Sequence, residues 1–188
     1  FPINVGNDEA SLKRLVSVVE KLDGRVHIAA NFAPEQVEDQ TAQLLPPVEL
    51  RNVAGLINTN VRTNGFNTVW YVPYNNRVAN IPVPSLASAV SGQTGGVGED
   101  FPIDYAINVD SLPYISAADV LRSNASMAAV KGRDVVIGTN ATGIGNRYAV
   151  PGERPAASVF VSALAAETLL AGRPVQYGWW WPFGIAFV

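Results

Sequence analysis

The residues best suited to chemistry lie in one stretch of the second half. The apolar run Asp134-Val135-Val136-Ile137-Gly138 predicts a short strand buried at the centre of a sheet. Behind it comes a glycine-rich loop, 139–152, which carries Asn140, Thr142, Gly143, Gly145, Asn146, Arg147 and Tyr148. Ligands of α/β proteins bind beyond the carboxyl ends of such strands. The amides, hydroxyls and guanidinium supply donors and acceptors, the glycines let backbone approach a small molecule, and Arg147 can hold an anion by paired hydrogen bonds. The spacing fits neither the phosphate loop nor the dinucleotide fingerprint, and Pro151 interrupts any helix that would aim its N-terminus at phosphate. Two readings of the loop therefore stand: a ligand-contacting surface, or a tight irregular loop that needs positive φ at Gly143 or Gly145.

Other chemistries find less support. His27, the single histidine, sits in a strand-like run between Val26 and Ile28 and has no serine in a sharp strand-to-helix turn to activate. Its ordinary reading is a solvent-facing or hydrogen-bonded strand residue. Asp100, Asp104, Asp110, Asp119 and Asp134 never adopt a calcium-loop spacing, and nothing selects a pair of them for acid/base work. The absence of cysteine excludes disulfides, thiolate metal sites and thiol catalysis, so neither a metal nor a cofactor is expected. The triplets Asn124-Ala125-Ser126 and Asn140-Ala141-Thr142 match the glycosylation pattern, but chance produces such matches too often for them to carry weight.

The elements that must position these residues can be read from periodicity. Across 188 residues, 48% are hydrophobic and only 15% charged, which argues for a folded domain with a real core and against disorder. The net charge of −3 comes with lysines and arginines that form no stripe, Lys13-Arg14 being the one adjacent pair, so nucleic acid is not an expected partner. Leu12, Leu15, Val16, Val19 and Leu22 recur at helical spacing, with Asn7 or Asp8 as cap and Gly24 as stop. The run 25–31 reads as a strand, and 34–44 as a short helix. The stretches 54–59 and 66–72 read as strands joined near Thr63-Asn64-Gly65, whose Asn-Gly is a strong hairpin signal. A helix is expected over 84–90, a flexible connection over 91–98 and a strand over 103–108. Ser116 with Asp119 gives a near capping box for a helix over 117–121. The closing helix, 157–171, is apolar almost all round and stops at Gly172-Arg173-Pro174. These elements predict a layered α/β domain, a central mixed β-sheet flanked by helices, over residues 1–178.

From Trp179 the sequence reads Trp-Trp-Trp-Pro-Phe-Gly-Ile-Ala-Phe-Val. Tryptophans leading into uncharged apolar residues mark where a membrane segment begins at the lipid interface, so residues 179–188 are expected to start one. The alternative is a C-terminal segment packed onto the domain. With no initiator methionine and an apolar end, the chain reads as a piece of something longer.

Several segments, taken in order, resemble the CHASE sensor domains of the second class, which stand outside the membrane on bacterial cyclases and histidine kinases. Leu112-Pro113-Tyr114-Ile115-Ser116-Ala117-Ala118-Asp119-Val120-Leu121 resembles the segment before that family's central strand. Lys131 to Gly138 resembles its Lys-Gly-Lys-apolar-apolar-Ile-Gly strand, Thr142 to Arg147 its Gly-x-Gly-Asp-Arg loop, and Leu169-Leu170-Ala171-Gly172-Arg173 the end of its closing helix. Asn146 stands where the family usually has aspartate, which leaves Arg147 either free for an anion or paired with another carboxylate such as Asp119 or Glu153. The resemblance implies a non-enzymatic signal-input domain, anchored on the extracytoplasmic face of a bacterial membrane. It further implies that an unknown small-molecule ligand or a partner shifts the closing helix and so the membrane segment. A structural dimerisation module without a ligand is the alternative, with a homodimer left open; a small hydrolase is a distant third.

Overall fold

The computed structural model describes residues 9–30, 45–78, 80–122, 128, 130–141, 145–152 and 154–172. Helix α1 (Glu9–Glu20) has its apolar stripe turned inward only in part: Val19 is buried, while Leu15 and Val18 remain exposed. It ends where Asp23 and Gly24 turn left-handed, at φ 48° and 71°. The predicted caps Asn7 and Asp8 and the predicted helix 34–44 lie outside the described residues, as does the segment from Trp179.

Strand β1 (His27–Ala30) pairs in parallel with β2 (Gly55–Asn58), His27 facing Gly55 and Ala30 facing Asn58. The short helix α2 (Val48–Arg51) leads into β2. The expected hairpin turn is present, but β2 is not part of it. Strand β3 (Arg62–Thr63) pairs antiparallel with β4 (Val69–Pro73) around the Asn-Gly turn, where Asn64 Oδ1 accepts the N–H groups of Phe66 (2.9 Å) and Thr68 (3.0 Å). The reason lies in Asn58-Thr59-Asn60: the Asn58 side chain accepts the Asn60 N–H, a local bond that turns the chain out of β2 before the hairpin begins. Strand β5 (Asn75–Val78) and β6 (Ile81–Pro84) form a second hairpin, whose Val78 and Val83 pack on Ala30 in a small core of their own.

Helix α3 (Leu86–Ser91) starts where Ser85 Oγ accepts the Ser88 N–H and ends at Gly92, left-handed at φ 69°. It packs against α5 (Ser158–Leu170), the helix around which the main core forms. Val161, Leu164, Ala165 and Leu169 of α5 meet Ile57, Val69, Val72, Leu86 and Phe101 there. The closing helix is thus where its uniformly apolar sequence requires it to be, buried on nearly every side. Helix α4 (Ala117–Arg122) begins at Ser116, whose Oγ accepts the Ala118 N–H, in keeping with the predicted cap.

Two expected strands are corrected. Strand β7 (Asp100–Pro102) pairs with β4, and Ile103 N–H still donates to the Trp70 carbonyl at 3.0 Å, but 104–108 turn away from the ladder. Asp104 Oδ1 accepts the Ala106 N–H and Asn108 Oδ1 the Asp110 N–H, side-chain bonds that compete with strand pairing. Residues 134–138 form no strand at all: Val135 is 55% and Ile137 91% exposed, and only Val136 packs against the core. An unbroken apolar run predicts burial only if neighbours cover both faces, and here they do not. The fold is α/β with both parallel and antiparallel pairing. That pairing is divided among small sheets in the described residues instead of forming one central sheet.

Candidate functional site

The loop that sequence reasoning singled out is anchored to the start of α5. Strand β8 (Arg147–Tyr148) pairs with β9 (Ala156–Ala157), Arg147 opposite Ala157, and the Ser158 N–H, at the first turn of α5, donates to the Asn146 carbonyl at 2.9 Å. Gly145 is left-handed at φ 85°, as one reading of the loop required, and a Cβ there would come within 3.0 Å of Thr139 Cγ2. Gly138 lies so close to α5 that a Cβ would meet Val159 Cγ2 at 2.5 Å.

The guanidinium of Arg147 is exposed and reaches two neutral acceptors. Nη2 donates to the Pro155 carbonyl at 2.6 Å, and Nη1 to Asn140 Oδ1 at 3.3 Å. Among the described residues no carboxylate pairs with it; Asp119 does not, and Glu153 lies outside them. Its charge therefore faces solvent with N–H groups to spare. Asn146 Nδ2 donates to Tyr148 Oη at 3.3 Å, and the Tyr148 ring packs against the core. The structure thus brings Asn140, Gly145, Asn146, Arg147 and Tyr148 together; Thr142 and Gly143 lie outside the described residues. Among the described residues of this surface, Arg147 presents N–H donors and no nucleophile lies beside a base.

The other candidates are not assembled into a site. His27 is exposed on β1 with its imidazole laid over Gly55, so tightly that a Cβ at 55 would meet His27 Cδ2 at 2.5 Å. Among the described residues no histidine, aspartate or glutamate side chains converge in threes as a metal ion would need.

Sequence reasoning missed a second place. At the carboxyl end of β2, Asn58, Thr59 and Asn60 line a crevice with Ser85 before α3 and Ser162 of α5. The signal was there, an abrupt change from Leu56-Ile57 to three polar residues, but it was absorbed into a hairpin strand that does not extend so far.

Among the described residues no helix is long and apolar enough to cross a membrane. No curated protein and no solved structure matches the chain significantly. The CHASE2 domain family matches residues 23–188, which takes in the parallel pair, both hairpins, the loop and α5. The chain belongs to the CHASE2 family and is a sensor domain of extracytoplasmic type.

Proposed function

We propose that this chain is the signal-input domain of a membrane-bound bacterial signalling protein, and that it responds to a small anionic ligand at Asn140, Thr142, Gly143, Gly145, Asn146, Arg147 and Tyr148. The observation that carries the reading is the attachment of that loop to α5. Arg147 holds the Pro155 carbonyl and Asn146 holds the Ser158 N–H, so an anion that draws the guanidinium away loosens the entry to the most buried helix of the domain. The ligand acts only through unequal affinity for the bound and released arrangements. Helix α5 then passes the change to the segment from Trp179, which we read as the beginning of a membrane helix leading to a cytoplasmic cyclase or kinase output. Anchored this way, the domain stands on the extracytoplasmic face. The family is sensory and not catalytic, and we extend that to the whole chain: it turns over no ester, phosphoester or glycoside.

The test is calorimetric titration of the whole chain with sulfate, phosphate and citrate, compared with Arg147→Ala. A charge-assisted hydrogen bond in a partly shielded site contributes about 1.5–3 kcal/mol, so the variant should bind roughly 10-fold to 150-fold more weakly, with little change in melting temperature. Unchanged affinity sinks the assignment. One observation favours the alternative of a dimerisation module: Tyr114, Leu121, Val135 and Ile137 leave apolar side chains exposed in one part of the sequence. A concentration-dependent dimer that Ile137→Asp abolishes, with no anion binding, would establish it.

A further inference from the structure

Asn64-Gly65 is the one Asn-Gly pair in the chain; every other asparagine is followed by a residue that carries a Cβ. The turn does not require the glycine. Gly65 is not left-handed, unlike Asn67 at φ 56°, and a Cβ at 65 would meet nothing within 4 Å. What the glycine leaves is an uncovered main-chain nitrogen: the pair is exposed, and the Gly65 N–H has no hydrogen-bond partner among the described residues. The amide beside it is held at one end only. Oδ1 accepts the N–H groups of Phe66 at 2.9 Å and Thr68 at 3.0 Å, whereas Nδ2 has no partner among the described residues. The Phe66 bond closes a small ring that contains both Asn64 Cγ and the Gly65 nitrogen.

Independently of any ligand, we propose that Asn64 is a self-modifying site, whose side-chain amide is lost through attack by the Gly65 nitrogen. Hydroxide takes the Gly65 N–H proton, the nitrogen bonds to Asn64 Cγ, and the Cγ–Nδ2 bond breaks with ammonia as the leaving group, giving a succinimide. Water then opens the ring. Cleavage between the Gly65 nitrogen and Cγ leaves aspartate, and cleavage between that nitrogen and the Asn64 main-chain carbonyl carbon leaves isoaspartate; either way one water enters and one ammonia departs. Charge builds on Oδ1 during the attack, and the Phe66 and Thr68 N–H groups already point at that atom, as donors do in an oxyanion hole. Asn108 makes the contrast: its Oδ1 also accepts an N–H, from Asp110 at 2.7 Å, but the next residue, Val109, is buried and branched at Cβ. The two products differ in what they do to the hairpin. Aspartate keeps an oxygen where Oδ1 stood and accepts the same two N–H groups with a full charge. Isoaspartate runs the main chain through Cγ and adds a methylene to the turn. Asn67 links that turn to the Arg147 loop, its Nδ2 donating to the Arg147 carbonyl at 3.2 Å and its carbonyl accepting the Ala149 N–H at 3.1 Å.

The experiment incubates the folded 188-residue chain at mildly alkaline pH and follows each asparagine by peptide mapping, with fragmentation that separates aspartate from isoaspartate. Asn64 should convert at least about tenfold faster than Asn108 or any other asparagine, at a rate that rises with pH. Gly65→Ala, which the open space at 65 accommodates, should slow the conversion at least about tenfold and leave the melting temperature level, because its Cβ obstructs the attacking nitrogen. As the isoaspartyl form accumulates, hydrogen exchange at the Ala149 amide should become faster, whereas Asn64→Asp should leave that amide as it is in the parent. Conversion spread evenly over several asparagines, a rate indifferent to pH, or a rate that Gly65→Ala leaves unchanged would each overturn the proposal.

Discussion

Thr168 offers the sharpest test of how α5 is held. Its side chain is buried, and Oγ1 makes two bonds: it donates to the Leu164 carbonyl at 2.9 Å and accepts the Asp104 N–H at 3.1 Å. Thr168→Val keeps the shape and removes the hydroxyl. The Leu164 carbonyl retains its intrahelical partner, but the half-buried Asp104 N–H is left without one, at a cost of about 1–3 kcal/mol. The added methyl returns about 0.8 kcal/mol of burial, so the net loss should be about 0.2–2.2 kcal/mol. For a chain of this size that lowers the melting temperature by up to roughly 9 °C. Thr168→Ser makes the opposite change, keeping both bonds and losing one methyl, for about 0.5–1.5 kcal/mol. Urea denaturation at constant m gives the two stabilities, and hydrogen exchange at the Asp104 amide shows where the loss falls: faster in the valine variant, unchanged in the serine variant. A valine variant as stable as the parent, or an Asp104 amide that exchanges no faster, would show that α5 is held there by packing alone.

Other perturbations bear on other contacts. Gly138→Ala should lower the melting temperature by several degrees, since its Cβ would come within 2.5 Å of Val159 Cγ2 and overpacking costs about 1–3 kcal/mol; an unchanged transition would mean the 134–140 segment is not docked on α5. Gly95→Ala should destabilise to a similar extent, because its Cβ would lie 2.5 Å from Cδ2 of the buried Tyr74 ring, which packs on Phe101 at 4.8 Å between centroids. Near-ultraviolet circular dichroism should register the displaced ring, and an unaltered spectrum would count against that packing. Ile137→Asp, at a position 91% exposed, should change the stability of the monomer by no more than ~0.5 kcal/mol; a loss of several kcal/mol would restore the buried strand that the sequence suggested.

What could be read in advance depended on whether a residue's neighbours in sequence or its neighbours in space decide its state. Helices α3, α4 and α5 were legible because Ser85 and Ser116 cap locally and because α5 has no polar face to turn outward. The Asn64 turn and the left-handed Gly145 were legible for the same local reason. The strands were less so. Val135-Val136-Ile137 has the composition of a buried strand, but composition does not supply the second strand that would cover it. Likewise 103–108 alternate well enough, but the Asp104 and Asn108 side chains accept the backbone N–H groups of Ala106 and Asp110. In the candidate site, the sequence named Arg147 but not its partners, because Pro155 offers a backbone carbonyl, which leaves no mark in a residue pattern. The crevice at Asn60 was hidden differently, since its far wall comes from α5, about a hundred residues along the chain.

The distribution of exposure along α5 limits how that helix can move. Val161, Ser162, Leu164, Ala165, Ala166, Thr168 and Leu169 are buried, and Glu167, its one charged residue, points to solvent. Successive residues are about 100° apart around a helix axis, so a turn of that size would swing the Glu167 carboxylate from solvent towards the face that Thr168 or Ala166 buries, at a desolvation cost. Rotation of α5 about its axis therefore carries a cost at Glu167 that a lean or a shift along the axis, which leaves the carboxylate on the solvent side, does not.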